Sequence, residues 1–291
     1  MESQELETLI IDATDNGVVT VTMNRPEKKN AANSVMWDEL RDTWNALAVD
    51  PQVRAVVMTG AGDAFCSGAD LAGQQRDRHQ LVSMNLIHQT VEALYSIMVP
   101  VIAKVNGVAA GAGMNMALAC DLILASDQAR FSEIFARRGL SVDFGGTWVL
   151  PRLIGLHKAK ELAFFADVIS AEQAAEFGIV NKVVPHDQLD AETQDWANRL
   201  AAGPPLALAM TKRMLTLNAS NDFKSALEAE GMAQTVNFYT SDTKEAVAAF
   251  LDKRDPKFEG RLPNFVTYDP SNNEELLTGT TGTDLGDFTN A

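Results

Sequence analysis

The chain has 291 residues, enough for one large domain or a domain with an appendage, which excludes a small module held together by staples. Apolar residues make up 46% and charged residues 22%, ordinary proportions for a chain that packs a core in water. The formal charge of −15 works against a nucleic-acid partner, because phosphate-backbone affinity needs Lys and Arg to displace counterions and no strong basic patch stands out.

In chain order, "ETLIID" and "GVVTVTMN" read as two strands with "ATDNG" as the hairpin-like turn between them. "NRPEKKNAANS" is a polar loop carrying Lys28 and Lys29, and Ser34 is the expected N-cap of a helix over "VMWDELRDTWNALAVD". A buried strand, "VRAVVMTG", leads into the loop "AGDAFCSGADLAG". Over 74–98, Leu81, Met84, Ile87, Val91, Leu94 and Met98 recur at helical spacing, and Pro100 closes that helix.

"PVIAKVNGVAAGAGMNMALACDLILASDQARFSE" then reads as strand, Gly-rich turn, short helix, strand, turn, strand. Such alternation implies crossovers around a mostly parallel, buried sheet, an α/β fold class. After Pro185 the patterns are helical throughout. The expected organisation is a core over 1–195, a helical region over 196–262, and an acidic tail over 263–291 with too few apolar residues to pack.

Cys66 and Cys120 lie far apart in apolar surroundings, so neither a disulfide framework nor a Cys-based metal site is expected. The stretch "MESQELETLIID" is acidic and lacks the basic-then-apolar order of a signal peptide, and no apolar run is long enough to span a bilayer. The expectation is a cytoplasmic protein with no membrane partner.

Two loops carry the makings of a site, "FCSGADL" and "NGVAAGAGMNMALACD". Gly111, Ala112 and Gly113 let backbone N–H groups approach a ligand closely, and the helix start behind them adds partial positive charge. That equipment suits an oxyanion such as a thioester enolate. The same glycines also serve tight turns and close packing, and their spacing is not that of a dinucleotide fingerprint. A third stretch, "GLSVDFGGTW", sets Asp143 between an apolar run and a Gly pair. An unpaired carboxylate in such a setting is costly, so Asp143 either N-caps a helix starting near Thr147 or does chemistry.

Six stretches in order, "NRPEKKNA", "AFCSGADL", "KVNGVAAGAGMNMALACDLILAS", "GGTWVLPRLIG", "ISAEQAAEFGIVNKVV" and "FLDKRDPKF", closely resemble the crotonase superfamily of enoyl-CoA hydratases and isomerases. The resemblance covers about 6–258 and leans to the epoxyphenylacetyl-CoA isomerase-like branch. It implies a spiral of repeated ββα units with a helical C-terminal trimerisation region, a homotrimer or homohexamer, and an acyl-coenzyme A (acyl-CoA) substrate. No cofactor is implied beyond the CoA moiety. The implied oxyanion donors are the N–H groups of Ala69 and Ala112. Lys29 matches a basic position near the CoA phosphates, with Asp70 and Leu71 beside Ala69 on the CoA side. Lys253 and Arg254 resemble a C-terminal basic group that holds the nucleotide end. Gly111, Phe135, Asn115 and Trp148 are expected around the acyl pocket, with the 74–98 helix as a wall.

The sequence departs from the hydratase pattern at both acid–base positions. Asn115 and Phe135 stand where the hydratases carry glutamates, and neither can transfer a proton. Asp143 matches an aspartate that epoxyphenylacetyl-CoA isomerase relatives use to shuttle protons and that chlorobenzoyl-CoA dehalogenase uses as a nucleophile. No His lies between His88 and His157 to support the second chemistry. Glu133, expected on one face of an extended strand with Phe131 and Phe135, is the rival acid or base. The expected function is therefore an acyl-CoA isomerase with Asp143 as acid and base; a hydratase or lyase, or a non-catalytic acyl-CoA-binding relative, are the alternatives.

Overall fold

A computed structural model describes residues 2–71 and 79–260. The chain forms two compact units, one through Ala233 and one from Gln234 onward. The first opens with β1 (Gln4–Glu5), β2 (Leu9–Ala13) and β3 (Val18–Met23), then α1 (Ser34–Val49). Asn33, not Ser34, caps α1, its side chain accepting from the Met36 N–H. A repeating pattern follows: β4 (Ala55–Gly60), β5 (Ala64–Cys66), α2 (Gln80–Ser96); β6 (Val101–Val105), β7 (Val108–Ala110), α3 (Ala112–Leu118); β8 (Leu122–Ser126), β9 (Arg130–Ser132), α4 (Gly146–Ile154). Next come α5 (Leu156–Phe165), β10 (Ile169–Ser170), α6 (Ala171–Glu176) and β11 (Lys182–Val184), then α7 (Leu189–Ala201), α8 (Pro205–Asn218) and α9 (Phe223–Phe238). The second unit takes the end of α9 and α10 (Ser241–Asp252).

Each ββα repeat sends its first strand to one sheet and its second to another. The large sheet has the order β1-β2-β3-β4-β6-β8-β11 and the small one β10-β9-β7-β5. From β3 to β11 the large sheet is parallel, with the antiparallel hairpin β2–β3 and β1 on one edge. The repeat is the spiral the resemblance implies.

Alternation along the strands divides the core. Val19, Val21, Val56, Met58, Val101, Ala103 and Ile123 face the main apolar cluster, while Val18, Ala55, Val57, Ile102 and Leu124 face Leu189, Ala197 and Ala201 of α7. Both faces of β4 are thus buried, as covered parallel strands are. Because α7 packs on the sheet, the expected boundary between 195 and 196 falls inside a core helix, and the first unit continues to Ala233. After β11 the described chain is helical. The expected tail over 263–291 lies outside the described residues, as do positions 74–78 of the expected second helix.

Candidate active site

The C-terminal ends of β5, β7 and β9 meet at one cavity of about 350 Å³, lined by Ser67, Gly68, Ala69, Leu71, Ala110, Gly111, Ala112, Ile134, Phe135, Arg138, Leu140 and Asp143. Backbone pairing fixes the first loop. Ala69 forms a parallel bridge with Ala32, in which Gly68 C=O accepts from Ala32 N–H at 2.8 Å and Asp70 N–H donates to Ala32 C=O at 2.9 Å. Bonds on that side come from the residues flanking Ala69, so its own N–H points the other way. Arg25 steadies the bridge by donating to the Ala31 carbonyl and pairing with Asp70 at 3.0 Å.

The second loop turns at Gly111, whose φ of 56° is left-handed, and α3 starts at Ala112. Gly111 N–H donates to Ser132 C=O at 2.9 Å. Ala112 N–H is one of the helix-start donors with no partner inside the helix. Among the described residues neither Ala69 N–H nor Ala112 N–H has an acceptor. The two loops are pressed together: a Cβ on Gly68 would stand 3.6 Å from Ala112 N, and one on Gly113 would stand 2.1 Å from Cys66 O.

Asp143 lies in the turn before α4, and its side chain does not cap that helix. The N-cap is Gly145, with no side-chain cap bond. The backbone carbonyl of Asp143 accepts from Gly146 N–H at 3.0 Å and from Asn115 Nδ2 at 2.9 Å, while its buried Oδ1 has no hydrogen-bond partner. Desolvation pushes the Asp143 carboxyl up to about 6, against the opposing pull of the His88 imidazole. His88 comes from α2, so the fold brings to Asp143 a histidine that is far from it in sequence.

Glu133 departs from expectation. β9 ends at Ser132, and Glu133 enters a 3₁₀ turn over Ile134–Arg138 with φ −80° and ψ 60°, not an extended strand. It is 0% exposed and does not line the cavity. Burial first, then neighbouring Asp143, push its carboxyl up to about 8, against a lowering hydrogen bond from Asn115.

The other expected residues divide. Gly111, Phe135 and Leu71 line the cavity; Asn115 sits behind it in α3, and Asp70 is held by Arg25. Trp148 is outside: it is 43% exposed, with the Arg152 guanidinium 3.1 Å from its ring centroid. Two residues along a helix from Gly146 turn a side chain well away from the face Gly146 presents. Gly146 itself makes room for Asn115, not for a ligand, since a Cβ there would stand 2.4 Å from the amide atoms of Asn115. Lys29 is exposed in a left-handed conformation, and its carbonyl accepts from Ser67 N–H at 3.0 Å, tying its loop to the Ala69 loop. In the second unit Lys253 C-caps α10 and Arg254 pairs with Glu245. Arg138, which sequence reading did not single out, reaches the cavity because it follows Phe135 by three residues, one turn of a 3₁₀ helix. No group of three or more potential metal ligands occurs among the described residues, and none of their helices is long and apolar enough to cross a membrane.

The pattern of the family described as enoyl-CoA hydratase/isomerase matches residues 13–261. This chain belongs to the enoyl-CoA hydratase/isomerase family. Relatives carry both names. A 1,2-epoxyphenylacetyl-CoA isomerase of Escherichia coli is 36% identical over 260 residues, 87% of this chain and 98% of that protein. A short-chain-enoyl-CoA hydratase of Clostridium acetobutylicum is 36% identical over 262 residues, 88% of this chain and 98% of its own. Among solved structures, an enoyl-CoA hydratase from Bacillus anthracis superposes with a TM-score of 0.84 at 31% identity, covering 88% of this chain and all (100%) of that one. The fold is thus that of the family, and the chain is an enzyme of it.

Proposed function

We propose that this member of the enoyl-CoA hydratase/isomerase family is an acyl-CoA isomerase in which Asp143 is the acid and base. The observation that carries the reading is that Asp143 is the one carboxylate among the described residues lining the cavity. By the resemblance to the family, Asn115 and Phe135 stand where a hydratase would carry its two glutamates.

The thioester oxygen accepts from Ala69 N–H and Ala112 N–H, and both bonds strengthen as negative charge develops on it. That stabilises the enolate and lowers the barrier to removing a proton beside the thioester. Asp143, ionised above about 6, takes the proton and returns it at another carbon, so the double bond moves. Phe135, Ile134 and Leu140 exclude water around the acyl chain, which favours proton return over addition of water. Lys29 is assigned to the CoA phosphates, and Lys253 and Arg254 to the nucleotide end, as parts of the same proposal, and the protein is taken to be a cytoplasmic homotrimer or homohexamer. Phe223, Leu227 and Met232, exposed on α9, supply apolar surface for assembly.

Hydration or lyase chemistry is the second reading. It is favoured by the closeness of two carboxylates, Asp143 and Glu133, and by the hydratases among the relatives. Incubation with unsaturated acyl-CoAs in heavy water, followed by mass spectrometry, separates the two. A double-bond shift with deuterium uptake, lost in Asp143→Asn, is expected. Full turnover in Asp143→Asn, or net addition of water as the main outcome, would overturn the isomerase reading.

A further inference from the structure

Behind the cavity wall, three side chains from three elements share one buried polar cluster. Asn115 in α3 spends both amide hydrogens, one on the Asp143 carbonyl at 2.9 Å and one on Glu133 Oε2 at 3.4 Å. What remains is Asn115 Oδ1, Glu133 Oε1 and Asp143 Oδ1, each buried and without a hydrogen-bond partner. With both carboxyls ionised, all three oxygens are acceptors facing an interior that offers them no donor. A buried acceptor left unmade costs roughly 1–3 kcal/mol, and more when charged. A proton on one carboxyl removes a buried charge and turns one acceptor into a donor.

The surroundings decide which carboxyl holds that proton. Asp143 lines the cavity and is partly open to it, with the His88 imidazole on α2 tending to lower its value. Glu133 is 0% exposed, and the groups bearing on it are the Asn115 amide and Asp143 itself, a neutral dipole and a like charge. Arg138, on the same 3₁₀ turn, is exposed at the cavity, not in the cluster. Two neighbouring carboxyls in one dry site do not both ionise, and the charge stays where solvent can reach it. The Asn115 amide lies close over Gly146, where a Cβ would stand 2.4 Å from it, so in the native chain it is held by its two hydrogen bonds and this close fit.

We infer that Glu133 and Asn115 are a positioning pair for Asp143, in which Glu133 is held as the neutral acid and Asn115 fixes the Asp143 turn against it. The inference rests on the assignment of Asp143 as the catalytic group. Glu133 itself touches no substrate; it acts through Asn115 and by leaving the negative charge to Asp143. The elevated Glu133 value agrees with this geometry.

The test uses the full chain without ligand. Infrared difference spectra between wild type and Glu133→Gln at neutral pH should show the carbonyl stretch of an un-ionised carboxylic acid in the wild type only. Carbon-13 titration of Asp143 should give nearly the same midpoint in wild type and Glu133→Gln, and a displaced one in Asn115→Leu or, should that variant not fold, Asn115→Ser. Loss of the Asn115 amide should lower kcat by about tenfold to a hundredfold with less change in KM. Absence of the carboxylic-acid band, a clear drop in the Asp143 midpoint in Glu133→Gln, or unchanged kcat and midpoint in the Asn115 variant each overturns the inference. Failure of the isomerase reading would appear separately, in the Asp143→Asn products, because the spectra do not depend on turnover.

Discussion

The amide of Asn115 and the main-chain carbonyl of Asp143 are joined by a 2.9 Å hydrogen bond across 28 positions of sequence. That bond anchors the turn of the candidate base to α3, the helix that begins at Ala112, the proposed oxyanion donor. The proposed base and the proposed oxyanion donor are thereby held by one short helix. Relative placement of this kind matters because a misplacement on the order of 1 Å can cost about a hundredfold in rate.

Asp143 should impose an acid limb on activity. Its carboxyl is pushed up to about 6, and only the ionised form can accept a proton, so kcat/KM should rise with pH through that value and level off above it. Asp143→Asn should lower kcat by ~10²–10⁴-fold with little change in KM, while the folded structure, judged by circular dichroism, persists. A pH–rate profile on an accepted acyl-CoA, with the variant alongside, checks both.

Glu133→Gln should change how stability depends on pH. The folded value of Glu133, about 8, lies above its ordinary 4.5, so the fold favours the protonated form. That contribution is complete below the unfolded value and is lost as pH rises through the folded one. Between these limits wild type should lose stability relative to Glu133→Gln, by up to roughly 1.4 kcal/mol per pH unit. Urea unfolding of both proteins at about pH 5 and about pH 8 measures the divergence; parallel curves would show Glu133 ionised throughout.

Much of this architecture is legible in the sequence, and the parts that are not share physical causes. The β2–β3 hairpin, β4 and α1 are visible because their apolar residues repeat with periods of two or 3.6 over long enough runs. The Gly-rich loops were readable because punctuation by glycine is local. β5, β7, β9 and β10 span two or three residues each, too short for periodicity, so the small sheet was not separable from its neighbours. Glu133 alternates with Phe131 and Phe135 as a strand would, and only the 3₁₀ turn after Ser132 shows why it is buried. Arg138 reaches the cavity and His88 acts on Asp143 from α2, relations between distant elements that no local pattern encodes. Glycine at 146 is explained only by Asn115, a contact made by the fold.

Ala112→Pro tests the proposed oxyanion site, since it removes the N–H and sets the ring Cδ in its place. Proline is well tolerated at the first position of a helix, where its missing N–H has no intrahelical partner, so α3 should still form. Removal of one such donor is expected to reduce kcat by ~10²–10³-fold. Thermal unfolding near the wild-type midpoint together with that loss locates the effect in catalysis; normal kcat would remove Ala112 from the oxyanion site.

Two glycine substitutions should differ in severity, because one meets backbone and the other a side chain. In Gly113→Ala the new Cβ would stand 2.1 Å from Cys66 O and 2.7 Å from Cys66 C, main-chain atoms at the end of a buried strand that cannot rotate aside. In Gly146→Ala it would stand 2.4 Å from the Asn115 amide atoms, which belong to a side chain and can turn at the expense of their hydrogen bonds. Gly146→Ala should therefore fold with a loss of about 1–3 kcal/mol, typical of overpacking, and show reduced kcat as Asn115 releases the Asp143 turn. Gly113→Ala must displace α3 or β5 and should cost more, with the larger loss of activity because Ala112 moves with it. Denaturant midpoints and kcat measured on the two variants together test the order; equal penalties would mean that the junction of α3 with β5 yields as readily as a side chain.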